Sequence, residues 1–329
     1  MKKKALCILL NICFCFWMHP EDRNVNDILS SPERKLSSYH FNPESKIISR
    51  VMEPQTFIMN YLKKMDNRTD YEKYKPDYFE LKKIEKNLRL MPDSFREILQ
   101  NKIAGIYFVK NLLGSGLTDW VLDENRNIYL IMVFNSDVLS RSISDWLTYK
   151  ENSCFIYNAD EFRIKMDCGN QVDGFLYILL HELSHSYDYI NRVTPAVDPE
   201  LSGILNAERA QTEFVAGIWK DYAAPETDKD FESRKNITFY KMNQGPKISI
   251  ADAMSIYQQL QETPFVSLYG CISWAEDFAE LSAFYYLTEK LNQKFTIEVL
   301  MGNKIIYASE PMKKIPVKKR FEIIRKYVN

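Results

Sequence analysis

Residues 171 to 190 read QVDGFLYILLHELSHSYDYI, and this stretch decides how the rest of the chain is read. Phe175, Leu176, Ile178, Leu179, Leu180 and Leu183 make it apolar on most sides, which predicts a buried central helix over Gln171–Ile190. Its second half carries His181-Glu182-Leu183-Ser184-His185. Residues four apart lie one turn apart on one helical face, so His181 and His185 can grip a single metal ion. Glu182, between them, can take a proton from water and pass it to a leaving amine. Two imidazoles and a carboxylate suit zinc, with one position left open for water. In a chain with four histidines and 24 glutamates, chance supplies this pattern roughly 0.004 times, so coincidence explains it poorly. A helix gains nothing from burying two imidazoles and a carboxylate without partners, which disfavours a purely structural reading.

No histidine follows His185, and the other two, His19 and His40, lie near the N-terminus, so the third ligand has to be a carboxylate. WAEDFAE, residues 274–280, places Glu276 and Glu280 four apart on one face of a second apolar helix. One can bind the metal while the other accepts a hydrogen bond from a ligand histidine. Glu208 and Glu213, in NAERAQTE (206–213), are rivals, and Glu208 follows His185 by 23 residues. Asp188 is too close along the helix to complete a tetrahedron with the two histidines and is expected as an outer partner.

Tyr269-Gly270, five further residues, Glu276 and then Phe278-Ala279-Glu280 together resemble the metal-site segment of the anthrax lethal factor family of gluzincin peptidases. In that family a tyrosine seven residues before the glutamate ligand, followed by glycine, lies beside the zinc. The resemblance implies a zincin-like fold, one zinc ion and hydrolysis of peptide bonds. It implies Glu276 as the third ligand, Glu280 as its supporting carboxylate, and Tyr269 as hydroxyl donor to the tetrahedral oxyanion. The 91 positions from His185 to Glu276 exceed the family's interval and imply an insertion.

The remainder of the chain fits one large catalytic domain. With 329 residues, 46% of them hydrophobic, there is ample material for a core. A formal net charge of -1 gives no electrostatic reason to expect nucleic acid or an anionic membrane as partner. Residues 1–18, three lysines and then an apolar run, read as a signal peptide or short anchor, which implies a secreted or extracytoplasmic protein touching a membrane only through its N-terminus. Residues 19–59, with Ser-Pro, Asn-Pro and Glu-Pro steps, read as a polar linker or arm.

Residues 60–329 are expected to form an α+β zincin-like domain. An upper lobe, about 60–190, would hold a small mixed sheet and the motif helix; a mainly helical lower lobe, about 191–329, would bring in Glu276. Helices are expected over 70–90, 92–106, 205–222, 250–261, 274–291 and 312–328. Strands are expected over 127–134, 154–157 and 162–166, the last two as a hairpin, with another hairpin around Gly302-Asn303. Past the leader only Cys154, Cys168 and Cys271 remain, allowing either a Cys154–Cys168 bridge or three buried thiols. The basic tail from Lys313 to Arg320 reads as the solvated face of the last helix. Two other classes compete with a peptidase. A catalytically inactive zincin-like binding protein of the cell envelope is disfavoured by the intact Glu182, and a structural zinc protein by the lack of cysteine ligands.

Overall fold

The computed structural model describes residues 25–158, 161–207 and 210–328. The leader expected over 1–18, and Glu208, lie outside the described residues. Among those described, no helix is long and apolar enough to cross a membrane.

The chain enters through α1 (Val25–Ser30), three 3-10 turns, the short strand β1 (Val51–Met52) and α2 (Thr56–Asp66). From Val25 on, the segment expected as a linker is instead built into the domain, and the boundary at residue 59 falls inside α2. The reason is buried charge. Arg34 donates to the carbonyl of Trp120 at 2.9 Å and pairs with Asp119 at 2.5 Å, while Arg50 caps the carbonyls of Leu99 and Ile103. Polar composition here marks a strap held by hydrogen bonds, not a free arm.

Next come β2 (Glu72–Tyr74), α3 (Tyr78–Arg89), α4 (Asp93–Lys102), β3 (Ile103–Lys110), β4 (Gly116–Leu122) and β5 (Ile128–Asn135). The helix expected over 70–90 starts late, because Asp77 and Glu80 form a capping box that opens α3 after Pro76. The next one ends early: IAGIYFVK at 103–110 is rich in β-branched and aromatic residues and becomes a strand buried along almost its whole length. One sheet has the order β1-β3-β5-β4, with β2 also on β3; β3 and β5 are parallel, and β4 runs antiparallel to β5 as an edge. Its faces alternate beyond a register shift at Ile103/Gly105 in β3. Ile106, Phe108, Trp120, Met132 and Phe134 enter the main core, whereas Tyr107, Val109, Val121, Ile131 and Val133 pack with Tyr39, Ile58 and Leu62 on the other side.

Then follow α5 (Ile143–Asn152), β6 (Phe155–Ile156), β7 (Phe162–Asp167) and α6 (Gly174–Asn191), the motif helix, capped by Asp173 and ended by Arg192 in the left-handed region (φ 54°). After α6 the chain forms α7 (Pro199–Ile204), β8 (Trp219–Asp221), β9 (Ala224–Pro225), β10 (Ile248–Ser249), α8 (Ala253–Gln261) and α9 (Trp274–Tyr285), the last continuing as a π-helical turn. The helix expected over 205–222 does not form. Asn206 (φ 49°) and Gly217 (φ 69°) are left-handed, and Trp219 turns into the core to donate its indole N–H to Asp277 at 2.8 Å. Tertiary packing overrides helical propensity there.

The chain closes with β11 (Thr296–Met301), β12 (Lys304–Ser309), α10 (Ile315–Lys318) and α11 (Phe321–Arg325). β11 and β12 form the expected hairpin. β6 and β7, however, do not pair with each other: β6 pairs with β10 and β7 with β11, so the two halves expected on either side of residue 190 are joined by strand pairing. The terminal helix expected over 312–328 is broken, because Arg320 is drawn inward onto Asp277. Lys313, Lys318 and Lys319 are exposed, as expected of a solvated face, whereas Arg320 is buried and half-buried Lys314 turns in to hold the carbonyls of Leu260 and Phe265. The three cysteines are free and buried, which rules in favour of thiols over a Cys154–Cys168 bridge. The architecture is α+β, with α6 and α9 packed side by side at its centre.

Candidate metal centre

α6 presents His181 and His185 to the face of α9 that carries Glu276 and Glu280. His181 Nε2 lies 3.2 Å from His185 Nε2 and 3.2 Å from Glu276 Oε2, and His185 Nε2 lies 3.4 Å from that same oxygen. All three residues are buried. A tetrahedral zinc with bonds of about 2.0–2.1 Å has ligand-to-ligand edges of roughly 3.3–3.4 Å, so the donor triangle already has the size that such an ion requires. Glu276 Oε2 is buried and faces the two imidazole nitrogens, as a carboxylate oxygen at a cation site does.

Glu280 fixes the tautomer. Its Oε1 lies 2.9 Å from His181 Nδ1, and a carboxylate there requires the proton on Nδ1, leaving the Nε2 lone pair to face Glu276. The same carboxylate accepts from Lys150 Nζ at 2.9 Å, from the Tyr177 hydroxyl, and through Oε2 from Ser267 Oγ at 2.6 Å. Without a cation, burial opposes a charged His181, but hydrogen bonds and charge from Glu276 and Glu280 outweigh it and raise its pKa to about 9. Burial likewise opposes ionisation of Glu276, and the two histidines outweigh it, holding that group at about 2.

Glu182 is buried, with its Oε2 accepting from Thr118 Oγ1 at 2.9 Å. Burial raises its pKa, against the pull of His181 and His185. His181, Glu182, Gly116, Ile178, Tyr240 and Tyr269 line a small cleft of about 20 Å³, enough to admit a water molecule. The ring centroid of Tyr269 stands 5.8 Å from that of His181, with Phe239 packed edge-on at 5.0 Å and Lys150 Nζ 4.1 Å from its centre. Gly270, beside it, donates its N–H to Ser267 Oγ at 2.9 Å, tying the loop to Glu280.

Asp188 is not a partner of a ligand histidine. Its two oxygens bind the backbone N–H and hydroxyl of Thr194, at 2.7 and 2.6 Å, and staple the chain as it leaves α6, while His185 Nδ1 has no hydrogen-bond partner among the described residues. Burial pushes the Asp188 carboxyl up to about 6. Glu213 is exposed and paired with Lys326 at 2.7 Å, away from the centre. Thr118, Lys150, Tyr177 and Ser267 were not anticipated from sequence. Two of them left a trace there: Lys150 continues the inward stripe of Ile143, Trp146 and Leu147 on α5, and Tyr177 precedes His181 by one turn.

The arrangement can hold one divalent cation in an N,N,O set with a carboxylate at hand for proton transfer. No family model, curated protein or solved structure matches the chain.

Proposed function

We propose that the protein is a zinc-dependent metallopeptidase with a zincin-like fold, of gluzincin type. The observation that carries this reading is the triangle of His181 Nε2, His185 Nε2 and Glu276 Oε2, of a size that suits zinc, with Glu182 in the same cleft. Zinc bound there would supply a Lewis acid that polarises a carbonyl oxygen and acidifies water. Glu182 takes the water proton and hands it to the leaving amine, with Thr118 holding the carboxylate in place. The Tyr269 phenol donates to the carbonyl oxygen as negative charge develops on it. Among the described residues, the half-exposed start of β4, at Gly116–Thr118, has a partner strand only on the β5 side, which leaves backbone groups for an extended peptide to pair with. A secreted or extracytoplasmic location goes with this reading and rests on the apolar run before residue 19.

The test is elemental analysis with anomalous scattering, combined with cleavage of a peptide library by wild type and Glu182→Gln. One zinc per chain at His181, His185 and Glu276, cleavage by wild type, and a zinc-loaded but inert variant are expected. If both proteins bind zinc and neither cleaves, the chain is a binding protein.

A further inference from the structure

We propose that Lys150 is a positioning residue of the metal centre, acting on His181 through Glu280. The inference rests on the reading of His181, His185 and Glu276 as metal ligands. Glu280 is fully buried, and its Oε1 takes hydrogen bonds from Lys150 Nζ and His181 Nδ1, both at 2.9 Å. Lysine and imidazole thus meet on one carboxylate oxygen, a third donor to which is the Tyr177 hydroxyl.

Charge explains why a lysine stands there. Glu182, Glu276 and Glu280 are three buried carboxylates around one cation point, and among the described residues Lys150 is the only lysine or arginine lining the cleft. Remove the ammonium, and Glu280 becomes a buried carboxylate without its cation, a situation that proteins relieve by moving or neutralising the group. Either response weakens the acceptor that orients His181 and keeps its Nε2 directed at the metal. Lys150 also stands 4.1 Å from the centre of the Tyr269 ring, so the same ammonium braces the phenol across the cleft.

The experiment measures zinc affinity of the full chain by competition with a chromophoric chelator, alongside circular dichroism to establish folding. Lys150→Met is expected to weaken zinc binding by roughly 10- to 100-fold. In a Glu280→Gln background the same substitution should change affinity by less than about threefold, because its route to the metal is gone. Lys150→Arg keeps the positive charge beside Glu280, so it should lose less zinc affinity than Lys150→Met. Should Lys150→Met fail to fold, Lys150→Gln replaces it with the same expected loss. Unchanged affinity in the folded uncharged variant, or an undiminished loss in the Glu280→Gln background, overturns the inference and leaves the metal site standing. A wild type that takes up no zinc overturns both.

Discussion

The hydroxyl of Thr118 lies 2.9 Å from Oε2 of Glu182 and 3.0 Å from the carbonyl oxygen of the same residue, so the edge strand β4 is fastened to the motif helix at the group that would move the proton. A general base works only within hydrogen-bond reach of its proton, and this contact limits where the carboxylate can point. Thr118→Val should therefore lower kcat by about 10-fold with KM within about twofold, while Thr118→Ser keeps most of the rate. Steady-state kinetics on a cleaved peptide will tell; an unaffected kcat in the valine variant would remove Thr118 from the mechanism.

Metal removal should be felt by the whole domain, because the ligands join α6 to α9. At free zinc about 1,000 times Kd, binding to the folded state alone stabilises it by about 4 kcal/mol. Calorimetry with and without chelator should show that difference as a higher melting temperature in zinc. Equal melting temperatures would mean that the three donors hold no ion.

The pH dependence of stability contains a contribution from Glu151, whose carboxyl is buried beside Lys150. Burial raises its pKa from 4.5 to about 7, against the lowering effect of Lys150. The folded protein keeps this proton up to about 7, where the unfolded chain has already released it. The contribution is therefore fully present below 4.5 and is lost as pH rises through 7, by at most roughly 3 kcal/mol. Glu151→Gln has no such proton to lose. Urea unfolding should find the variant more stable than wild type at about pH 8 and the difference gone near pH 4. The opposite ordering would refute the assignment.

Arg320 and Asp277 form a buried two-pronged pair at 2.8 and 2.7 Å, which fastens the C-terminal segment to α9 one residue after Glu276. Arg320→Met should destabilise the fold by about 3–5 kcal/mol, since it strands a buried carboxylate, and Arg320→Met with Asp277→Asn should recover part of that. Denaturant midpoints measure both. A fully additive double variant would show that the two side chains act independently.

Much of the centre was legible because its determinants are local. His181, Glu182 and His185 follow from helical periodicity over five residues, as does the spacing of Glu276 and Glu280, and the structure brings the two sets together across α6 and α9. Asp188 had the same local logic and went elsewhere, because Thr194, six residues on, supplies both an N–H and a hydroxyl. The polar segment before α2 misled for a related reason. Composition reports that Arg34 and Arg50 are charged, but not that Asp119 and the carbonyls at the end of α4 wait for them.

What the sequence by itself determined is the pair of histidines with its glutamate, the helix that carries them, and that a carboxylate, not a third histidine, would have to complete a metal site with them. Those are properties of residue type and of a 3.6-residue period. Which carboxylate converges on the histidines, and what surrounds it, only the tertiary structure decided. Glu280 is 130 residues from Lys150 and 103 from Tyr177, and Thr118 is 64 from Glu182. Such contacts depend on how sheet and helices pack, because no local period relates residues so far apart along the chain.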